Sequence, residues 1–275
     1  MIDLSDLSDP SDLSALTALS TRLNRRLCLA VFAALAMTAG SAHGELTTVI
    51  AANKPSVVAI GTFSATDSPR FTFRGTGFVV GGGTSVITNF HVLPPAADGA
   101  TGPPLMVHVV RGPNQLEGRP ARVVASDRTH DLALLRIEGA PLPALPLGDS
   151  EPVPEGTAIA FTGFPIGGVL GFSHVTHRGI IASVTRIALP AASAQQLSAR
   201  ALAELRNGAF EIYQLDATAY PGNSGGPVYD VQTGRVIGVI NMVLVRGTRE
   251  SALTNPTGIS YAIPVRFVRE LLATQ

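Results

Sequence analysis

The sequence Gly222-Asn223-Ser224-Gly225-Gly226-Pro227 places a serine among small, turn-forming residues. Glycine allows the backbone to turn tightly, so the N–H groups of Gly222 and Ser224 can point at one spot beside the serine hydroxyl. A hydroxyl flanked by two backbone donors is the local arrangement of an acyl-transfer nucleophile. Because a serine hydroxyl is unreactive at neutral pH, this interpretation requires a histidine and a carboxylate elsewhere in the chain.

The base must be one of the six histidines. His91 follows the run Val86-Ile87-Thr88 and precedes a proline-rich loop, so its side chain can project from the end of a rigid strand. His108 lies inside an alternating apolar pattern, where a structural role is expected. His174 and His177 flank a glycine-rich loop and are expected at the surface or along a cleft. His91 is therefore the preferred base.

Asp131 is the candidate acid that orients the base. It opens the apolar run Leu132-Ala133-Leu134-Leu135, so its carboxylate should be partly buried beside a core strand. A role as a turn cap is the alternative. Neither His91 nor Asp131 is convincing alone, but with Ser224 they complete a set in the order His, Asp, Ser.

Composition limits the class of protein. The chain has 275 residues, of which 45% are hydrophobic, enough for a packed core in one large or two small domains. Its 28 glycines and 20 prolines, with only 5% aromatic residues, favour many short strands joined by turns. The 20 basic and 20 acidic residues balance, so no charge pattern indicates binding to nucleic acid or to an anionic membrane.

Apolar runs rich in β-branched residues predict two sets of short strands. The first set covers 56–63, 71–80, 84–88, 105–110, 122–126 and 132–137, and the second covers 157–162, 178–187, 210–217, 227–229, 235–245 and 259–263. Residues 141–156, rich in proline and acidic residues, form a linker between them, and helices are predicted at 45–54, 193–206 and 264–274. Many short strands at near-regular spacing predict a sandwich or barrels rather than a parallel sheet.

The N-terminal segment has the pattern of a secretory signal peptide. Arg25-Arg26 precedes an apolar run at 27–37 and small residues at 38–42, after an unusually long polar n-region. The run is shorter than the about 20 residues that a membrane-spanning helix needs, although an uncleaved anchor is the alternative. Cys28, the only cysteine, lies in this segment. We therefore expect residues 1–44 to be a signal peptide and the mature protein to be periplasmic or secreted, without a disulfide and without stable membrane insertion.

The combined motifs resemble those of the trypsin-like serine peptidases with the chymotrypsin fold, and most closely the bacterial HtrA/Deg branch. The resemblance spans about Val49 to the C-terminus. The matching segments are Gly75-Thr76-Gly77-Phe78-Val79, residues 87–92, residues 131–135, residues 215–217, residues 222–227, residues 236–239 and residues 258–264.

The resemblance implies an all-β fold of two antiparallel six-stranded β-barrels with a C-terminal helix. The first barrel would occupy 45–145 and supply His91 and Asp131, and the second would occupy 146–275 and supply Ser224. His91 would take the Ser224 proton while Asp131 orients the imidazole, and the N–H groups of Gly222 and Ser224 would bind the oxyanion. The substrates would be polypeptides, and neither a metal nor an organic cofactor is implied.

The same resemblance assigns the substrate pocket. Thr218 would lie at the base of the primary pocket, with Ala219 beside it and Asn241-Met242-Val243 as the strand at the cleft edge. Because none of these residues is charged, we expect a preference for small or medium apolar residues before the scissile bond.

Two departures from the family pattern affect regulation. Digestive members carry an aspartate immediately before the serine, which pairs with a newly cut N-terminus. Here that residue is Asn223, so loop rearrangement rather than N-terminal processing should control the oxyanion hole, and the insertion 190–208 is a candidate regulator. HtrA proteins also usually continue into a PDZ domain where this sequence reaches Gln275, so we expect recognition through the peptidase cleft or a partner.

Two alternatives remain at this point. A catalytically silent binding module could have the same fold, although the complete set of three residues argues against it. An esterase of the α/β-hydrolase type shares the chemistry, but it has another residue order and places its nucleophile turn between a strand and a helix, a setting that this sequence does not show. The sequence specifies neither the oligomeric state nor the natural substrate.

Overall fold

The structure is a computed structural model. It describes residues 42–95, 103–112, 115–165, 167, 171–187, 210–241 and 259–275. The chain divides into two compact units, Met1–Thr47 and Thr48–Gln275, and residues 42–47 are the described part of the first. Residues 1–41 of the expected signal peptide, the helix expected at 193–206, the insertion 190–208 and the pocket residues Met242 and Val243 lie outside the described residues. Of the helices that are described, none is long and apolar enough to cross a membrane.

The first barrel consists of β1 (Val57–Phe63), β2 (Phe71–Val80), β3 (Ser85–Asn89), β4 (Leu105–Gly112), β5 (Gln115–Asp127) and β6 (Leu132–Ile137). The strands close in the order β1-β2-β3-β6-β5-β4, with β1 paired antiparallel to both β2 and β4. In β4, Leu105, Val107 and Val109 are buried at alternate positions, as expected for a strand with one face on a core. They pack with Val58 and Ile60 inside the barrel.

The second barrel consists of β7 (Ala158–Gly163), β8 (Val175–Ile187), β9 (Phe210–Asp216), β10 (Pro227–Asp230), β11 (Val236–Asn241) and β12 (Ile259–Pro264). These strands close antiparallel in the order β10-β11-β12-β9-β8-β7. Phe161, Tyr213, Leu215, Val228 and Ile240 are fully or almost fully buried in its core. The prediction of two six-stranded antiparallel barrels is therefore confirmed.

Along the described chain, one helix precedes the strands and another follows them. Helix α1 is Ala42–Asn53, near the helix expected at 45–54, and a 3₁₀ turn at Lys54–Ser56 leads into β1. Helix α2 is Val265–Ala273, and its buried side chains include Val268 and Leu271. They belong to a cluster that also contains Leu132 of the first barrel and Val239 of the second. Helix α2 thus covers a core that both barrels share.

The predicted strand at 122–126 is wrong at its beginning, because β5 starts at Gln115. Residues 115–120 are mostly exposed and pair with β4, while residues 121–127 pair with β6. A bulge between Val123 and Ala125 bends the strand between these two partners. This exposed part contains polar residues as well as Gly118 and Pro120. Its apolar residues therefore do not alternate regularly, and the sequence pattern does not reveal the beginning of β5.

Candidate active site

His91 lies where β3 ends. The β3–β6 ladder ends at the pair Asn89–Leu132, and a 3₁₀ turn, Phe90–Val92, carries the histidine. The Asp131 carbonyl accepts hydrogen bonds from the Phe90 N–H and from Asn89 Nδ2, both at 3.0 Å. The backbone of the candidate acid therefore anchors the turn of the candidate base.

His91 and Asp131 are joined by two further hydrogen bonds. The Nδ1–H of His91 donates to Asp131 Oδ2 at 2.6 Å, and the His91 backbone N–H donates to Asp131 Oδ1 at 2.9 Å. The His91 side chain is 33% exposed, whereas that of Asp131 is 11% exposed. With its proton on Nδ1, the imidazole has Nε2 free as a proton acceptor.

Asp131 also has an unusual backbone. Its φ is 52°, in the left-handed region that aspartate tolerates better than most residues. In the preceding turn, Asp127 Oδ1 accepts the N–H groups of Thr129 and His130, and the His130 Nδ1–H donates to Asp127 Oδ2 at 2.5 Å. This bonded turn stabilises the conformation that directs the Asp131 carboxylate at His91.

Asn241, at the end of β11, supplies a third side of the Asp131 environment. Its Nδ2 donates to Asp131 Oδ2 at 2.9 Å, and only 1% of the residue is exposed. The residue expected at the edge of the cleft therefore bonds the candidate acid across the two barrels. Three N–H donors, two from His91 and one from Asn241, converge on the carboxylate and fix its orientation.

Ser224 lies in the tight turn between β9 and β10. The Asn223 N–H donates to Tyr220 O at 3.0 Å and the Gly226 N–H donates to Asn223 O at 2.9 Å. Gly222 and Gly225 have φ values of 102° and 84°, which side chains rarely allow. A Cβ at Gly225 would also collide with Thr76 O and Thr88 Oγ1, so the turn fits against the first barrel only with glycine there.

Thr76 of β2 bonds two carbonyl groups of this turn. Its Oγ1–H donates to Gly222 O at 2.6 Å, and its N–H donates to Ser224 O at 2.9 Å. Among the described residues, neither the Gly222 N–H nor the Ser224 N–H donates a hydrogen bond within the protein. The two donors that the sequence assigned to an oxyanion hole are therefore uncommitted.

Gly75 separates the histidine turn from the serine turn. A Cβ at this position would lie 2.7 Å from Val92 Cγ2 and 3.0 Å from Ser224 O. The residue after His91 and the carbonyl of Ser224 thus both lie close to this glycine. Over the residues that the structure describes, no hydrogen bond joins Ser224 Oγ to His91 Nε2; such bonds are often long in free enzymes and tighten with substrate bound.

Two further predicted pocket residues that are described, Thr218 and Ala219, lie between β9 and the serine turn. Thr218 is half-buried, and Ala219 is 7% exposed. The Ala219 N–H donates to Ser260 Oγ at 2.9 Å, and this hydroxyl donates to Ala217 O at 2.7 Å. Ser260 of β12 thereby fixes the backbone that leads to the serine turn.

Asn223 is completely buried beside the serine. A Cβ at Gly163 would lie 2.7 Å from its Oδ1. Neither Oδ1 nor Nδ2 has a hydrogen-bond partner within the described part of the chain. A neutral amide is compatible with this environment, whereas an unpaired carboxylate at the same place would be costly.

The other candidate histidines are structural. His108 stacks on Phe71 with ring centroids 3.7 Å apart, and His177 stacks on Phe161 at 4.9 Å. The His174 Nε2–H donates to Val57 O at 2.8 Å. Burial lowers the pKa of each of these three side chains below its ordinary value. His174 and His177, expected at the surface or along a cleft, are half-buried.

Several supporting roles were not identified from the sequence. Thr76 and Asn89 bind the serine turn and the Asp131 backbone, and Asn241, predicted only as part of the cleft edge, binds the Asp131 carboxylate. The sequence feature that could have identified them is a polar residue within an otherwise apolar run. No group of three or more His, Cys, Asp or Glu side chains among the described residues could hold a metal ion.

The chain is similar to known peptidases. The trypsin-like peptidase domain matches residues 75–239. A probable periplasmic serine endoprotease DegP-like of Pseudomonas putida (strain GB-1) is 30% identical over 192 residues, covering 70% of this chain and 32% of the relative. The mitochondrial serine protease HTRA2 of Drosophila pseudoobscura pseudoobscura is 32% identical over 201 residues, covering 72% and 38%. The chain therefore spans about a third of the length of these relatives.

Solved structures show the same fold. The HtrA-type protease AlgW with a decapeptide superposes with a TM-score of 0.59 and 21% sequence identity, covering 83% of this chain and 66% of that chain. Another structure of an HtrA-type protease, with a tripeptide, has a TM-score of 0.59 at 23% identity, covering 83% of this chain and 62% of that chain. Since the peptidase-domain match extends over more than half of the sequence, the chain belongs to the trypsin-like peptidase family.

Proposed function

We propose that the chain is an exported serine endopeptidase that hydrolyses peptide bonds with His91, Asp131 and Ser224. The observation that carries the proposal is the His91–Asp131 pair, with Nδ1 bonded at 2.6 Å, next to a serine turn whose Gly222 and Ser224 N–H groups are uncommitted. The DegP-like and HTRA2 relatives, both named serine proteases, support the same chemistry.

In the proposed reaction, His91 Nε2 takes the proton of Ser224 Oγ as this oxygen attacks the peptide carbonyl. The N–H groups of Gly222 and Ser224 stabilise the oxyanion, at about 3 to 4 kcal/mol lost per donor removed. The imidazolium then protonates the leaving amine as the C–N bond breaks, leaving an acyl-enzyme. A water molecule that gives its proton to His91 hydrolyses the ester and restores the serine. Asp131 stabilises the imidazolium in both halves.

Polypeptides are the proposed substrates, because two HtrA-type neighbours were solved with peptides. Thr218 and Ala219, together with Asn241-Met242-Val243, carry no charge, so small or medium apolar residues should precede the scissile bond. A peptide library should show this preference. A strong preference for Arg or Lys would contradict the assignment of these residues.

Export to the periplasm or beyond the cell is proposed from the pattern at residues 25–42, and relatives named periplasmic support it. A role in envelope protein quality control or processing follows from this location. Expression of Ser224→Ala in the native envelope, followed by mass spectrometry of trapped proteins, should recover many unfolded chains for quality control or one protein for processing.

The enzymatic proposal is tested with a fluorophosphonate probe, which reacts only with an activated serine. The purified protein should be labelled, Ser224→Ala should not be, and His91→Ala should be labelled at least about 10³-fold more slowly. Ser126→Ala, at an exposed serine of β5, is the matched control and should react like the unmodified protein. If the unmodified protein resists labelling at every pH and with peptide present, the alternative of a catalytically silent binding module on the same fold is correct.

A further inference from the structure

Arg74 of β2 makes a two-pronged contact with the turn that carries His91. Its Nε donates to Val92 O at 2.6 Å, and its Nη2 donates to Leu93 O at 2.7 Å. These carbonyls belong to the two residues that follow His91. The side chain is half-buried, and burial lowers its pKa, although a guanidinium stays charged at any working pH.

The turn needs such a support because it lies beyond the sheet. Ladder pairing of β3 stops at Asn89, and the Leu93 N–H to Phe90 O bond at 3.0 Å only closes the turn on itself. Asp131 holds one side of the turn through the His91 N–H and Nδ1. Arg74 holds its other side, at two consecutive carbonyls.

The position of Arg74 on β2 links this support to the nucleophile. The next residue, Gly75, contacts Val92 and Ser224 O, and the one after it, Thr76, bonds Ser224 O and Gly222 O. Three consecutive residues of one strand therefore connect the two turns. Arg74 bonds the histidine turn, Gly75 lies close to both turns, and Thr76 bonds the serine turn. A fixed strand at this place sets the separation of the two turns.

Arginine suits the task because its planar fork presents two N–H groups to neighbouring acceptors at once. A lysine could reach one carbonyl as a point charge but could not define the orientation of both. An uncharged side chain of similar length would fill the space and leave both carbonyls without this donor.

We propose that Arg74 is a positioning residue for catalysis, which holds the His91 turn so that Nε2 stays aligned with Ser224 Oγ. The inference rests on the proposed serine peptidase function. Arg74 acts through the backbone after His91 and does not touch the substrate.

The test compares Arg74→Met and Arg74→Lys with Arg136→Met, a control at an exposed arginine of β6 whose side chain donates to Thr84 Oγ1. For each purified protein we would measure kcat and KM on one apolar peptide, and count active sites by fluorophosphonate titration. Arg74→Met should lower kcat per active site on the order of 10- to 100-fold, as expected for a misaligned base, with KM changed less than about twofold. Arg74→Lys should recover part of kcat, and Arg136→Met should match the unmodified protein.

The titration separates a positioning role from a merely structural one. If Arg74→Met has fewer active sites but a normal kcat for each, the residue only supports folding and the inference is overturned. A folded Arg74→Met with normal kcat, or an Arg74→Lys no better than Arg74→Met, also overturns it. If the unmodified protein itself is not labelled, the proposed function fails first and the inference falls with it.

Discussion

Thr76 is the residue at which the two halves of the candidate site meet. Its hydroxyl donates to Gly222 O at 2.6 Å and accepts the Phe164 N–H at 3.1 Å, and it is fully buried. One side chain of the first barrel therefore satisfies two backbone groups of the second. Because buried backbone groups without partners are costly, this hydroxyl holds the serine turn in place.

Replacing Thr76 with valine should expose this dependence, since valine has the same shape but no hydroxyl. Gly222 O and the Phe164 N–H would both lose a buried partner, so we expect a loss of about 1 to 3 kcal/mol in the free energy of unfolding, and slower fluorophosphonate labelling. Thr76→Ser, which retains the hydroxyl, should stay close to the unmodified protein. Denaturant unfolding and labelling rates measure both effects. A Thr76→Val variant with unchanged stability and labelling would show that the two bonds contribute nothing.

At this scale the sequence nominates the proposed reactive residues more readily than the residues that support them. His91, Asp131 and Ser224 stand in local motifs that could be read directly. Thr76 and Asn241 bond partners 146 and 110 residues away, so no local pattern shows those bonds. The positive φ of Asp131 likewise depends on the folded turn rather than on its apolar neighbours.

At the scale of elements, an aromatic cluster joins β2 and β4 to the segment after β7. Phe71 stacks on His108 at 3.7 Å, and Phe172 meets Phe71 and Phe73 edge-on at 5.5 Å. Phe164, whose N–H donates to Thr76, meets the same cluster at 6.2 Å from Phe172. Phe164 and Phe172, which follow β7, thus pack on the first barrel through aromatic rings, and one member of the cluster, His108, can titrate.

His108 should make the stability of this cluster depend on pH. Burial lowers its pKa in the folded protein, and its Nδ1 has no partner among the described residues. The pKa of this histidine in the unfolded chain is about 6.5. Below that pH the unfolded chain binds a proton that the folded chain does not bind, so the stability falls as the pH decreases toward the pKa in the folded protein. His108→Phe keeps the ring and removes this loss. We expect it to gain stability relative to the unmodified protein at pH 5, and to gain less at pH 7.5.

Urea unfolding of both proteins at the two pH values checks this prediction. Val110→Ala, at a neighbouring residue of β4 that packs in the same region, is the control, and its effect on stability should be the same at pH 5 and pH 7.5. An effect of His108→Phe that does not change with pH would mean that His108 does not titrate in this range.

The strands themselves were largely predictable, since most follow apolar runs bounded by glycine, proline or polar turns. The exposed beginning of β5 was not, because its pairing with β4 is a backbone interaction that leaves no apolar signature. Strand β8 likewise begins at Val175, earlier than the predicted residue 178. The added residues pair with β7 through their backbone, while their side chains are exposed or half-buried, so they also leave no apolar pattern.

At the scale of the whole molecule, the two barrels share an apolar core in addition to the core inside each barrel. The apolar cluster under α2 takes Ile87 and Leu134 from the first barrel, Val236 and Ile263 from the second, and Leu271 from the helix. Motif order and resemblance predicted two barrels with a closing helix, but not that this helix covers residues of both. Only the folded chain brings these distant segments together.

A shared core implies that the barrels unfold together, and the composition of the chain allows a direct test. The chain has no tryptophan, and its four tyrosines, Tyr213, Tyr220, Tyr229 and Tyr261, all belong to the second half. Phe63→Trp at the half-buried end of β1 would add a probe of the first barrel. In this background, the tryptophan and tyrosine signals should give coincident unfolding transitions in denaturant, as expected for one cooperative unit.

Leu271→Ala should then move both transitions by the same amount. The side chain is 6% exposed, and deleting such a buried leucine costs about 2 to 5 kcal/mol, through lost burial and the cavity that remains. Val107→Ala, inside the first barrel only, should also move both signals if the barrels are coupled. A tryptophan transition that stays in place in Leu271→Ala, or a tyrosine transition that stays in place in Val107→Ala, would show that each barrel unfolds independently. Coincident shifts in both variants would instead mean that the separation of His91 and Ser224 is protected by the stability of the entire unit, because neither barrel can loosen without the other.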